Sequence, residues 1–321
     1  MKREKSLYSV FCIVATISIL VVTAFFLPWG QDQSLLFPLW NGRVISSILS
    51  AVGFVYISFS VSYVNLRCFS YSSHSLLLYG TYLMVVLSIS HCWEFSEYHL
   101  ATMALIWSIM YQFKFLVYEK LKYSHLFQAI FYMSIAAVLV PQLLLYLLVF
   151  ILSSFGRRDH LFSKTLPTVF GAMTIPVIYL VSLSFLLDGP STGELVAQYW
   201  DKLSDIAPTL SSLSVTGLFY YGLLLLIAIR SMIHFKAVSV QRNRAQRVSI
   251  NLSLTLSIVS LILFSLYFDP DKLLLAIPLF IPFTFSIFDY FKNGNKSEVN
   301  VVFTLLFVMT IFYRVSLVLG L

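Results

Sequence analysis

Residues 126–155 read LFQAIFYMSIAAVLVPQLLLYLLVFILSSF, an unbroken apolar run of 30 residues with Pro141 near its middle. As one straight helix it would measure about 45 Å, half as long again as the roughly 30 Å hydrocarbon layer of a bilayer. Proline lacks the amide that an inner helical turn needs, so the run is read as a hairpin of two short helices that crosses twice or dips in and returns. The flanking cations lead to the same reading: Lys120 and Lys122 precede the run, and Arg157 and Arg158 follow it. Lys and Arg are retained on the cytoplasmic side, and both pairs share that side only if the chain comes back.

Outward from this hairpin, apolar runs of spanning size recur at 8–27, 44–64, 75–91, 98–118, 166–187, 209–230, 247–267, 272–290 and 299–319. The 321 residues are 59% apolar and 11% charged, with a mean hydropathy of +0.87. That composition belongs to an integral membrane protein and excludes a secreted disulfide scaffold, a disordered chain and a soluble DNA-reading module. The expected fold is all-α: one transmembrane domain over residues 1–321, a helical bundle of about 11 crossings with the N-terminus cytoplasmic and the C-terminus outside. On this layout only Arg43, Lys202, Lys272 and Arg314 lie outside, which leaves 17 of the 21 Lys and Arg inside. Nine of the 14 acids take the outer side. The first run, preceded by Lys2, Arg3 and Lys5, is too long for an export h-region and reads as an uncleaved anchor. Cys12, Cys68 and Cys92 fall at levels that offer no pair for a disulfide.

Two outer segments have length. Residues 28–43, PWGQDQSLLFPLWNGR, carry Asp32; residues 188–208, DGPSTGELVAQYWDKLSDIAP, carry a helical pattern. In the second, Ser191 or Thr192 can cap a helix, and Leu195, Val196, Tyr199, Trp200, Leu203 and Ile206 share one side. An outer interfacial helix over about 191–206 is expected, able to gate a lateral entry or simply to connect two spans. The turn HCWEFSEYH, residues 91–99, sets His91, Glu94, Glu97 and His99 close together. Pairs three apart on a helical end face the same way, as proton transfer or a divalent ion requires, although solvation of a short turn also selects such residues. Arg43 and Arg314 are the phosphate candidates. Outer cations run against the positive-inside bias, and a guanidinium grips phosphate in a fork; snorkelling to bulk headgroups is the plainer alternative.

The densest basic stretch, RSMIHFKAVSVQRNRAQR at 230–247, reads as a cytoplasmic loop set by topology and implies no nucleic acid. Pro141, Pro176, Pro278 and Pro282 mark kinks of the kind that line transporter cavities. No Walker, Rossmann, nucleophile-elbow or HExxH pattern is present, and the six histidines are scattered over both faces.

The runs NLRCFSYSSHSLLLYGTYLMVVLSIS, LATMALIWSIMYQFKF, TLPTVFGAMTIPVIYL and AIPLFIPFTFSIFDYFKNGNKSEVNVVFTLLF, with the hairpin stretch, resemble a polytopic membrane protein family of Bacteroidetes-type bacteria, a domain of unknown function, over nearly the whole chain. In layout the chain is also similar to the multi-span, GT-C-like glycosyltransferases that use polyprenyl-phosphate sugars. That similarity implies a bacterial inner-membrane protein of envelope glycan or lipid metabolism: Asp32 as general base, Glu94 or Glu97 holding a divalent cation, and Arg43 and Arg314 binding the phosphate of a polyprenyl-linked substrate. The first outer loop is shorter than that family's and lacks paired acids. A transporter or flippase, and a membrane scaffold of an envelope complex, are the alternatives. An enzyme requires Asp32 and Glu94 to reach one site, a transporter requires a mid-membrane cavity near Pro141 and Pro278, and a scaffold requires neither.

Overall fold

The computed structural model describes residues 14, 18, 19, 21, 22, 43–69, 76–88, 92–117, 122–155, 161–186, 192–206, 214–267 and 274–319. No strand occurs among them. Twelve helices are described: α1 (Arg43–Phe69), α2 (Leu76–Val86), α3 (Glu97–Val117), α4 (Tyr123–Leu139), α5 (Leu144–Phe155), α6 (Leu161–Leu186), α7 (Thr192–Ser204), α8 (Val215–Ser239), α9 (Arg244–Leu266), α10 (Ala276–Leu279), α11 (Ile281–Asn293) and α12 (Lys296–Leu319). Six of them, α1, α3, α6, α8, α9 and α12, contain stretches long and apolar enough to span a bilayer, so the chain is a multi-pass helical membrane protein. Most of the first apolar run, and the loop carrying Asp32, lie outside the described residues.

The 126–155 run is broken where its proline predicts. Val140 adopts an extended conformation (φ −130°, ψ 95°), as a residue before proline is pushed to do, and Pro141–Leu143 make a single 3₁₀ turn. The two halves then fold back. Ser108 on α3 donates to the Ala129 carbonyl on α4, and one turn further along α3 the Gln112 amide reaches Ser153, Ser154 and the Phe150 carbonyl at the far end of α5. The end of α5 therefore returns to the level at which α4 began. At 17 and 12 residues, about 25 and 18 Å, the two helices together replace one overlong helix.

Close helix approach rests on small residues, as it must where lipid removes the hydrophobic drive between helices. Ser249, Ser253, Ser257 and Ser260 form a buried row on α9, and Ser257 and Ser260 satisfy their hydroxyls on carbonyls one turn back. On α6, Gly171 lies against α4 so tightly that a Cβ there would stand 3.1 Å from the Phe127 carbonyl oxygen and from Ile130 Cβ. The breaks at Pro278 and Pro282 are filled: both prolines are buried, and the Ile277 and Pro282 carbonyls accept from the Tyr82 and Ser253 hydroxyls.

The bundle has two chemically distinct ends. One holds the α2–α3 turn, α7 and the first turns of α1 and α8, and carries Glu94, Glu97, Glu194, Asp201 and Asp205. The other carries Arg67, Lys114, Lys122, Lys236, Arg242, Arg244, Arg247, Lys292 and Lys296. The stretch from Arg230 to Ser239, read from its charges as loop, is helix: it completes α8, because hydropathy counts where apolar residues stop and not where backbone hydrogen bonding stops.

Candidate functional site at the acidic end of the bundle

The turn between α2 and α3 is fastened to α1 by a chain of hydrogen bonds. The Phe95 amide donates to Ser46 Oγ at 2.8 Å, and Ser50 Oγ donates to the Cys92 carbonyl at 2.7 Å. His99 Nδ1 lies 3.3 Å from the Ser96 amide, which can only donate, so the imidazole proton sits on Nε2 and points to Ser50 Oγ at 3.1 Å. His99 is fully enclosed, between the Phe54 and Phe95 rings. The sequence grouped it with the solvated residues of the turn; here it faces the bundle interior, because it lies on the first turn of α3 and points at α1.

Glu94 lies in this turn, partly buried, and Glu97 opens α3 with its Oε2 enclosed and no hydrogen-bond partner. Arg43 is the first residue of α1, at the same end, and its side chain lies outside the described set, as do Asp32 and His91. Among the described residues no group of three or more His, Cys, Asp and Glu could hold a metal ion.

Arg314 approaches the turn from α12. Its exposure is 0%, which rules out snorkelling to bulk headgroups, and Nη1 lies 3.5 Å from the Ser88 carbonyl at the end of α2. Its charge and that of Glu94 are both felt at the Cys92 thiol. Burial pushes that thiol up to about 12, the guanidinium opposes the shift and the Glu94 carboxylate adds to it. The structure thus brings Arg314 and Glu94 to the surroundings of Cys92, in the turn that Ser46 and Ser50 fasten to α1.

Around Arg314 stands a set of hydroxyls that sequence reading missed. Ser88 Oγ and Tyr220 OH are 2.7 Å apart, Tyr221 and Tyr313 share a hydrogen bond of 3.2 Å, and Thr310 bonds Tyr220. The Tyr220 and Tyr313 rings stack at 4.8 Å. Towards the end of the bundle, Ser214, Thr216 and Ser316 link in steps of 2.8 Å. Polar groups thus run along α8 and α12 from their acidic-end termini down to the guanidinium. The only local signals were the Tyr-Tyr and Tyr-Arg pairs at 220–221 and 313–314, and their meeting across 92 residues is tertiary.

Within the segment 191–206 the structure has a helix, α7. Tyr199 OH donates to the Ala137 carbonyl at 2.9 Å, Gln142 Nε2 to the Lys202 carbonyl at 3.2 Å, and Tyr267 OH to the Leu203 carbonyl at 2.5 Å. It lies over the hairpin tip and the end of α9, with Val196 and Trp200 exposed. Burial pushes the Tyr199 phenol up to about 12. The chain matches no protein-family model, no curated protein and no solved structure.

Proposed function

We propose that the protein is a bacterial inner-membrane protein of 11 crossings, N-terminus cytoplasmic and C-terminus outside, that acts at its acidic, extracytoplasmic end on a phosphate-bearing, lipid-linked substrate. In this reading it works like the polyprenyl-phosphate-sugar glycosyltransferases that its layout resembles. Arg314 carries the argument. A guanidinium inside a membrane helix costs about 3 kcal/mol on insertion scales and marks a functional site by default. This one sits wholly inside, beside the turn of Glu94 and Glu97. Arg314, with Arg43, binds the phosphate; Asp32 serves as general base; Glu94 or Glu97 would hold a divalent cation if the transfer uses one. The filled breaks at Pro278 and Pro282 favour this over a transporter with a mid-membrane cavity.

The test compares surface glycans and lipids in a deletion strain complemented with wild type, Arg314→Lys or Arg314→Gln, with membrane levels matched by immunoblot. Arg314→Gln is expected to accumulate the lipid-linked precursor as the deletion does, and Arg314→Lys to restore turnover in part, since it keeps the charge and loses the fork. Unchanged glycans and lipids in the deletion strain would sink the enzyme reading and leave the scaffold.

A further inference from the structure

At the basic end, in a part of the molecule on which the reading above does not rest, three side chains converge on one enclosed carboxylate. Asp289 of α11 has no exposed surface. Its Oδ1 accepts from Asn293 Nδ2 at 2.8 Å and faces Arg242 Nη2 at 3.7 Å, from the turn between α8 and α9. Its Oδ2 faces His234 Nε2 of α8 at 3.6 Å. The His234 side chain keeps 18% of its surface, in the last turns of α8, and its ring stands edge-on to Tyr290 at 5.6 Å.

The distance matters chemically. At 3.6 Å the imidazole is beyond hydrogen-bond range, so a neutral ring contributes little to Asp289, whereas an imidazolium is held by charge. Imidazole is the side chain that ordinarily changes charge between about pH 5 and pH 8. We propose that His234 and Asp289 form a proton-binding site: one proton taken by His234 from water closes the pair and clamps the tip of the α8–α9 hairpin onto α11.

The other titratable and charged groups in view are fixed in their effects. From α8 come Arg230, held to Glu298 of α12 by two hydrogen bonds of 2.7 and 3.1 Å, and Lys236, which donates to Asn251 of α9. Arg242 belongs to the turn itself. Arg244 and Arg247 open α9, Lys292 follows Asp289 on α11, and Tyr290 OH donates to Glu298 at 2.8 Å. The charge of His234 is felt at Glu298 as well, which makes Glu298 the rival partner. From α2, also packed on α11, the described titratable group is the Tyr82 phenol. Of these, His234 is the imidazole, and it faces Asp289 Oδ2.

Hydrogen exchange of the full chain in detergent tests the site, following the amides of residues 238–247 at roughly pH 5.5 and pH 8 with intrinsic rates divided out. Wild type is expected to show protection about fivefold to tenfold higher at the lower pH, the scale of one charge pair gained. His234→Gln should be flat and weakly protected, His234→Lys flat and strongly protected, and Glu298→Gln as pH-responsive as wild type. Asp289→Asn should lose the response; if that variant does not fold, the two His234 variants and Glu298→Gln decide alone. Equal protection of wild type at both pH values, a pH response retained by His234→Gln, His234→Lys no better protected than His234→Gln, or a response abolished by Glu298→Gln would each overturn the proposal.

Discussion

Four glycines, placed in four different environments, predict an order of stability when each is replaced by alanine. At Gly222 on α8 a Cβ meets nothing within 4 Å, so Gly222→Ala gains helix propensity and stabilises by about 0.5–1 kcal/mol. At Gly53 on α1 the new atom makes ordinary contacts of 3.5 Å with His99 and Met103, and the same gain survives. At Gly171 the Phe127 carbonyl and Ile130 Cβ, both at 3.1 Å, require α6 to move off α4 by a few tenths of an ångström, and overpacking of about 1–3 kcal/mol exceeds the propensity gain. Gly294 is the severe case. It joins α11 to α12 with φ −71° and ψ 176°, so neither helix propensity nor backbone strain enters, but a Cβ would stand 2.5 Å from the Tyr290 carbonyl oxygen and 2.9 Å from Val299 Cγ2. Since Tyr290 O also accepts the Gly294 amide at 2.8 Å, relief means opening the turn and moving Glu298 off Arg230. A cost of about 3 kcal/mol places Gly294→Ala about 3–4 kcal/mol below Gly222→Ala. For a chain of this size that separates their midpoints by about 4–6 °C. The assay heats detergent-solubilised protein and measures the monodisperse fraction surviving on size exclusion. Gly294→Ala melting together with Gly222→Ala would refute the tight turn, and Gly171→Ala melting above wild type would refute the close α4–α6 crossing.

Ser50→Ala leaves the Ser46–Phe95 bond but removes the Ser50 link between α1 and the α2–α3 turn and strands the buried Nε2–H of His99; a loss of about 1–3 kcal/mol is expected, read as a lower midpoint in the same heating assay, with Ser50→Thr closer to wild type. Tyr199 makes α7 docking sensitive to alkali. Its phenol is raised in the docked state, so the contribution is complete below the ordinary tyrosine value near 10 and is lost as pH rises through about 12. The phenolate titration of wild type minus that of Tyr199→Phe should therefore rise near pH 12, and a difference centred near pH 10 would place the ring in water. Trp200, exposed on α7, should be quenched by brominated lipid more strongly than Trp93, which is partly buried in the α2–α3 turn; equal quenching would place α7 away from the bilayer surface.

Local chemistry was readable and tertiary pairing was not. Pro141 announced its break because a missing amide and the steric demand on Val140 act within two residues. The helix from Thr192 to Ser204 was legible because its first-turn Glu194 and its apolar spacing are properties of a single turn or two. By contrast, the sequence marked Arg314 as a phosphate candidate near a span end and Asp289 only as an acid close to the end of its span, and neither reading foresaw burial. What makes them unusual is enclosure by helices that lie tens to hundreds of residues away in the chain, as with Arg314 and Ser88. The same holds for His99: the sequence grouped it with the polar residues of the turn, but helical periodicity leaves open whether a first-turn side chain meets water or a neighbouring helix.

The fastening of α7 has a consequence for biosynthesis. Its contacts to Ala137 and Gln142 join it to chain already made, whereas the Leu203 carbonyl waits for Tyr267, 64 residues later. At about 5–20 residues per second a ribosome needs several seconds to close that gap. During that interval the nascent protein carries a half-attached amphipathic segment on one membrane surface. A product stopped before Tyr267 keeps that loose segment permanently, a mark by which membrane proteases could tell an unfinished molecule from a finished one.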